Sequence, residues 1–296
     1  MAEFLQFAFS GLTVGAIYAL VALGFALIYN ASHVINFAQG EFVTIGGMAT
    51  VALIAGGSGL PLLLAIPTAV MITALVGLAL EKFAVEPAVN RPGGASVVTI
   101  IIITIGASIF IRGIIQVTLG KDFHRLPAFS GEVPIDILGA RVQPQGLWVL
   151  GVTLLVVAVL WWFFGRTRFG KAMLATSHNR LAAQLVGIDT RLILLASFGL
   201  SAALGGLAGI LTAPITLTKY DVGIMLGLKG FAAAILGGLG SGPGAIVGGI
   251  ALGLAEALAA GYISSAYKDA VAFIIILAVL FVRPTGLLGG HSSERV

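Results

Sequence analysis

Three stretches of this 296-residue chain hold residues that could do chemistry. The first is Asn30-Ala-Ser-His-Val-Ile-Asn-Phe-Ala-Gln-Gly-Glu-Phe, which gathers Asn30, Ser32, His33, Asn36, Gln39 and Glu41 between two apolar runs. A polar group in hydrocarbon is costly unless it is paired or wet. The stretch is therefore either a solvated connecting turn or a broken helix whose amides and carboxylate line an aqueous route. On the second reading, Asn36, Gln39 and Glu41 contact the polar ends of a solute or gate its passage.

The second stretch is residues 165–190. Gly165 to Lys171 nearly spells a phosphate loop, Gly-x4-Gly-Lys-Ser/Thr, but Ala172 stands where the magnesium-binding hydroxyl belongs. The preceding Trp161-Trp-Phe-Phe ends an apolar helix rather than a sheet strand, so nucleotide binding is rejected here. The spacing instead predicts a short helix. Ala172, Ala175, Asn179, Ala182, Ala183 and Val186 share one face of small residues, and Gly187 stops it. Such a face lets another protein approach closely. The alternative is a basic loop that only sets topology.

The third stretch runs from Gly227-Leu-Lys-Gly-Phe through Gly238-Leu-Gly-Ser-Gly-Pro-Gly to Glu256. Gly244/Gly248 and Gly249/Gly253 permit tight helix crossings, and Gly238 to Gly244 reads as a turn. Lys229 and Glu256 stand apart, because ionisable groups inside a span face a cavity or a partner. The sequence does not say that they pair. It also shows no cysteine, no zinc-protease His spacing and no Gly-x-Ser-x-Gly, and its four histidines are scattered.

The elements that position these residues follow from composition. The chain is 58% hydrophobic and 9% charged, with a mean hydropathy of +1.09; soluble domains carry about 25% charged residues. A soluble enzyme, a disordered chain and a coiled coil are excluded. The pattern predicts an all-α polytopic membrane protein with about 8–9 spans of ~20 residues each, forming one domain over 1–296. Spans are expected near 11–29, 37–56, 61–80, 96–118, 146–164, 192–212, 224–240, 244–262 and 270–282. The second and seventh, rich in Gly and next to polar residues, are candidates for broken or re-entrant helices. Sliding the chain so that Gly24 falls on Gly206 also lays Gly56 on Gly238 and Pro61 on Pro243, the mark of an inverted repeat.

Orientation follows from charge. Residues 165–191 carry Arg166, Arg168, Lys171, Arg180 and Arg191 against Asp189, which places them in the cytoplasm. Lys82, Arg91, Arg283 and Arg295 fall on the same side. In residues 119–145, Lys121, Arg125 and Arg141 are balanced by Asp122, Glu132 and Asp136, so this loop is external. Alternation then puts the N-terminus outside and the C-terminus inside. The loop's pieces Glu132-Val-Pro-Ile and Ala140-Arg-Val allow a small hairpin lid; a plain linker fits as well. With so few charges in total, the net charge of +4 reflects topology rather than nucleic-acid binding.

Several motifs in order resemble one family. They are Gly11-Leu-Thr-x-Gly-x-x-Tyr18-Ala-Leu, Ile35-Asn-Phe-Ala-Gln-Gly-Glu41, Arg168-x-Gly-x-Ala172 leading to Ala183 and Gly187-Ile, the Gly227-Leu-Lys-Gly-Phe run, Glu256-Ala-Leu, and Arg283-Pro-Thr-Gly-Leu-Leu-Gly. Nearly the whole chain resembles the permease subunit of ABC importers for branched-chain and related hydrophobic amino acids. Gln39 departs from the His common in relatives. The resemblance implies a type II importer permease in a bacterial-type cytoplasmic membrane. A second, homologous permease, two cytoplasmic ATPases and an external binding protein would accompany it. No cofactor is expected on this chain, and ATP with magnesium would sit on the ATPases. Segment 165–190 would be the coupling element, with Gly170, Lys171, Ala172, Ala175, Asn179, Ala182, Ala183 and Gly187 at the ATPase. Tyr18, Asn36, Gln39, Glu41 and Lys229 are the candidates for the path. A stand-alone carrier or channel for a small solute is the alternative that composition alone leaves open.

Overall fold

The computed structural model describes residues 2–55, 59–89, 96–131, 133–137 and 139–289. Gly56, Arg91, Glu132 and Arg295, used above for the repeat and the charge count, lie outside the described residues. Among the described residues, six helices are long and apolar enough to cross a membrane. Of these, α1 (Ala2–Ser32) and α9 (Thr190–Thr216) are mostly buried and form the centre. A helix that is apolar all round belongs in a core, and in lipid its packing must come from close contact rather than from hydrophobic drive. Small residues supply that contact. A Cβ on Gly15 would lie 2.8 Å from the Ile250 Cα of α11 (Gly242–Tyr262), and one on Gly253 would strike the backbone of Gly15. Around the centre stand α3 (Leu62–Leu80), α5 (Val97–Leu119) and α6 (Pro144–Arg166), which turn Met71, Ile102, Phe110, Leu154 and Trp161 outward to lipid or a partner. Helix α3 continues through a π turn (Glu81–Val85) into a single turn, α4 (Glu86–Val89).

Two shorter helices lie inside the bundle. Helix α2 (Gln39–Ala55) has 17 residues and α10 (Val222–Gly237) has 16, about 25 Å each at 1.5 Å per residue against a ~30 Å core. Both correspond to the spans marked as candidate broken helices. They begin within the bundle. Gln39 is level with Gly24, about 12 Å from the end of α1, and with Ser201, about 16 Å into α9. Residues 33–38 enter at this depth with Val34, Asn36 and Ala38 buried, so the connector is no solvated turn. His33 turns the chain with φ 55°.

The unit α1–α2–α3 is repeated in α9–α10–α11, with reciprocal packing. Helix α1 packs against α10 and α11, while α9 packs against α2 and α3. The contacts run the two units in opposite directions, the arrangement of an inverted repeat. Their short helices meet by their N-termini: the Gly223 amide donates to Thr44 Oγ1 (3.0 Å), and a Cβ on Gly223 would strike the Gly40 carbonyl.

Contacts sort the loops into two ends. At one end the hairpin β1 (Ile135–Ile137) and β2 (Ala140–Val142), in register Asp136 to Arg141, packs on α1. A Cβ on Gly139, in its turn, would lie 3.6 Å from Ala2. His124 bridges to Thr218 and Phe7 meets Tyr262 there. At the other end Asn30 Nδ2 donates to the Gly240 carbonyl (2.7 Å), and Leu287 and Leu288 donate to Leu236 and Gly237. The hairpin thus replaces the plain linker. Helix α12 (Lys268–Val282) closes the order.

Candidate functional site

Where the two short helices meet, a cleft of 370 Å³ opens between α2, α5 and α10. Glu41, in the first turn of α2, is 2% exposed. Its Oε1 accepts from Ser108 Oγ (2.8 Å) and Arg112 Nε (3.2 Å), while Oε2 has no hydrogen-bond partner. Arg112 Nη2 also donates to Ser108 Oγ (3.2 Å). Ser108 and Arg112 lie one turn apart on α5, so one helix face presents both to Glu41. The remaining wall is apolar or bare: Phe25, Ile105, Ile109, Leu228 and Phe231 alternate with Gly40, Gly223 and Gly227. These glycines let α2 and α10 cross in backbone contact, since a Cβ on Gly227 would lie 2.8 Å from the Gly40 Cα.

The other candidates for the path are not among the residues that line this cleft. Gln39 is fully enclosed: Nε2 donates to the Ser201 carbonyl (3.2 Å), and the Ser201 hydroxyl lies 2.6 Å from Gln39 Oε1 and 2.8 Å from the Gly24 carbonyl. It locks α2 to both central helices instead of facing an aqueous route. Asn36 accepts from the Ala38 amide (3.0 Å), leaving its buried Nδ2 unpartnered, and lines a smaller cavity of 190 Å³ with Ser32, Thr104 and Arg180.

Tyr18 and Lys229 belong to a third cluster. Lys229 Nζ lies 2.7 Å from Glu256 Oε1 and 2.7 Å from Asp269 Oδ1, and Tyr18 donates to Glu256 Oε2 (2.7 Å). The Asp269 contact is an ion pair without hydrogen-bond alignment. Lys268 stands 3.5 Å from Glu256, so two cations meet two anions. The cluster ties α1, α10, α11 and α12 together. The intramembrane lysine and glutamate therefore face each other, a pairing the sequence left open.

Segment 165–190 is not one helix but two. Helix α7 (Arg168–His178) is capped by the Thr167 hydroxyl on the Gly170 amide (2.9 Å). It stops at Asn179, whose extended backbone and Oδ1, accepting from Ala182, start α8 (Arg180–Leu185). The break turns the small-residue face. Gly170 and Ala183 point into the protein and Ala172 is half-buried, while Lys171, Ala175, Asn179 and Ala182 stay exposed. Gly187 ends α8 with φ 87°, as expected of a helix stop. Among the described residues no group of three His, Asp or Glu could hold a metal ion.

The sequence profile of the family described as "Branched-chain amino acid transport system / permease component" matches residues 7–280. The chain belongs to this family. This permease is 35% identical to the high-affinity branched-chain amino acid transport system permease protein LivH of Escherichia coli, over 99% of this chain and 98% of that one. It is 33% identical to the corresponding BraD of Pseudomonas aeruginosa, again over 99% and 98%. The solved structure of PsaBC from Streptococcus pneumoniae, in complex with Fab, shares the fold at a TM-score of 0.51 and 16% identity, covering 95% of the permease and 92% of that chain. The permease is thus a multi-pass membrane subunit of an ABC importer.

Two site residues escape the sequence analysis, Ser108 and Arg112. A signal existed. Arg112 is the one Lys or Arg within Val97–Leu119, and an arginine inside a span needs a named partner. The sequence supplied no means of choosing Glu41, 71 residues away, as that partner.

Proposed function

We propose that the permease forms half of the translocation path for branched-chain or related hydrophobic amino acids and is driven by ATPases on the side of α7 and α8. The observation that carries this reading is the cleft at the junction of two short helices. Broken helices of inverted repeats build transporter sites near the midplane because their freed termini and side chains meet the solute there. Here that junction holds one carboxylate, one guanidinium and an apolar wall, which suits a small solute with a hydrophobic side chain. The names of the relatives point to the same substrates.

In this reading α7 and α8 face the cytoplasm, with the hairpin and N-terminus outside and the C-terminus inside. The excess of Lys and Arg on the first side supports that orientation. A second permease closes the open side of the cleft along the exposed face of α5, an external binding protein delivers solute, and two ATPases supply the energy. Their closure moves α7 and α8, and the two repeats rock about the cleft. Lys171, Ala175, Asn179 and Ala182 are the exposed contacts; Gly170 and Ala183 hold the segment on the bundle.

Replacing Ala175 and Ala182 together with tryptophan tests the docking face. The expected result is retained ATPase activity with loss of ATP-driven uptake, because bulk at an exposed docking face holds the engine away without disturbing the bundle. Wild-type uptake by the double variant would remove these residues from the contact.

A further inference from the structure

We infer that the cleft between α2, α5 and α10 holds an α-amino acid as its zwitterion, Glu41 meeting the ammonium and Arg112 the carboxylate. This rests on the importer reading above and adds to it the residues and the ionic form bound. Charge carries the first part of the argument. An ionised side chain at this depth needs a counter-charge, and Glu41 and Arg112 supply it to each other. Neither is used up. Glu41 commits only Oε1 and leaves Oε2 unpartnered, and the Arg112 side chain remains 28% exposed. A zwitterion brings one charge of each sign. It can divide the pair, one end to each member, with the net charge of the cleft unchanged. A lone anion or cation would leave one member uncompensated.

Position and shape carry the rest. The Ser108 hydroxyl bridges Glu41 and Arg112 and can follow either one as they part. The glycines at the start of α10 leave backbone, not side chain, beside the charged pair. Phe25, Ile109, Leu228 and Phe231 form the apolar wall for a branched side chain. The 370 Å³ volume is near the lower limit for ligand sites, about 300 to 1,000 Å³, as suits a small solute.

The chain lacks cysteine, so Ile109→Cys makes a single reporter on the cleft wall. The assay uses the complete transporter in membrane vesicles, with a methanethiosulfonate reagent and mass spectrometry to follow the labelled site. Leucine at about ten times its half-protecting concentration is expected to slow modification about tenfold, in step with occupancy of the site. Leucinamide, without the carboxylate, and 4-methylpentanoate, without the ammonium, are expected to protect poorly. Adding Arg112→Gln should abolish leucine protection, measured against that variant's own unprotected rate. If that variant fails to fold, the comparison of the three compounds on Ile109→Cys still decides the matter. Equal protection by all three would overturn the inference, as would no protection in a transporter that imports leucine on ATP. A complete transporter that takes up no leucine on ATP would sink the importer reading, and the inference with it.

Discussion

Neutralising Lys229 should destabilise the permease far more than its single positive charge suggests. Lys229 and Glu256 have side chains only 11% and 7% exposed, held 2.7 Å apart. Lys229→Met leaves Glu256 with the Tyr18 hydroxyl and with Lys268 at 3.5 Å, and removes the cation beside Asp269. Breaking a buried ion pair by removing one partner costs about 3–5 kcal/mol; we expect about 3 kcal/mol here, since Lys268 remains near. Glu256→Gln should cost about 2 kcal/mol, because its amide can still accept from Tyr18 and Asp269 still pairs with Lys229. The double variant buries no lone charge at Glu256 and should also cost about 3 kcal/mol rather than their sum, a coupling of about 2 kcal/mol. Asp269→Asn should cost under about 1 kcal/mol, as its side chain is 42% exposed. Unfolding of the purified permease in mixed micelles, titrated with dodecyl sulfate, measures all four. Additive costs for Lys229→Met and Glu256→Gln would refute the buried network and mean that each charge is separately hydrated.

Two further outcomes follow from close contacts. Gly209→Leu should abolish the folded protein, because a Cβ there strikes the Val43 carbonyl where α2 crosses α9, while Gly106→Ala, with open space around it, should be silent. Monodispersity on gel filtration in detergent separates the two. Asn179→Ala removes the cap of α8 and about 1 kcal/mol of local stability; amide exchange should rise over Arg180–Leu185 with α1 and α9 unchanged.

Most of the helices were readable because their apolar runs are long, as the lipid requires. The nine expected spans correspond to α1, α2, α3, α5, α6, α9, α10, α11 and α12, and the two candidates for broken or re-entrant helices, α2 and α10, are each one continuous helix that begins within the bundle. The repeat was faint in residue identities, because many different small residues can make the same close crossing; the packing of α1 and α9 displays it instead. The site was less readable. Glu41 stood out by its position between apolar runs, but its partners Ser108 and Arg112 arrive from α5 by tertiary packing. Gln39 looked equally polar and is spent on locking helices together. The small-residue face of 165–190 was drawn on one continuous helix, and Asn179 divides it because a side chain that caps a helix start competes with helix continuation.

ATP dependence tests the central claim most directly. The permease, copurified with its ATPases and second permease and reconstituted in liposomes with binding protein, should accumulate leucine only when ATP reaches the ATPases, and the permease alone should accumulate none. Leucine uptake by the permease alone, without ATP, would contradict the account and make it a self-sufficient carrier.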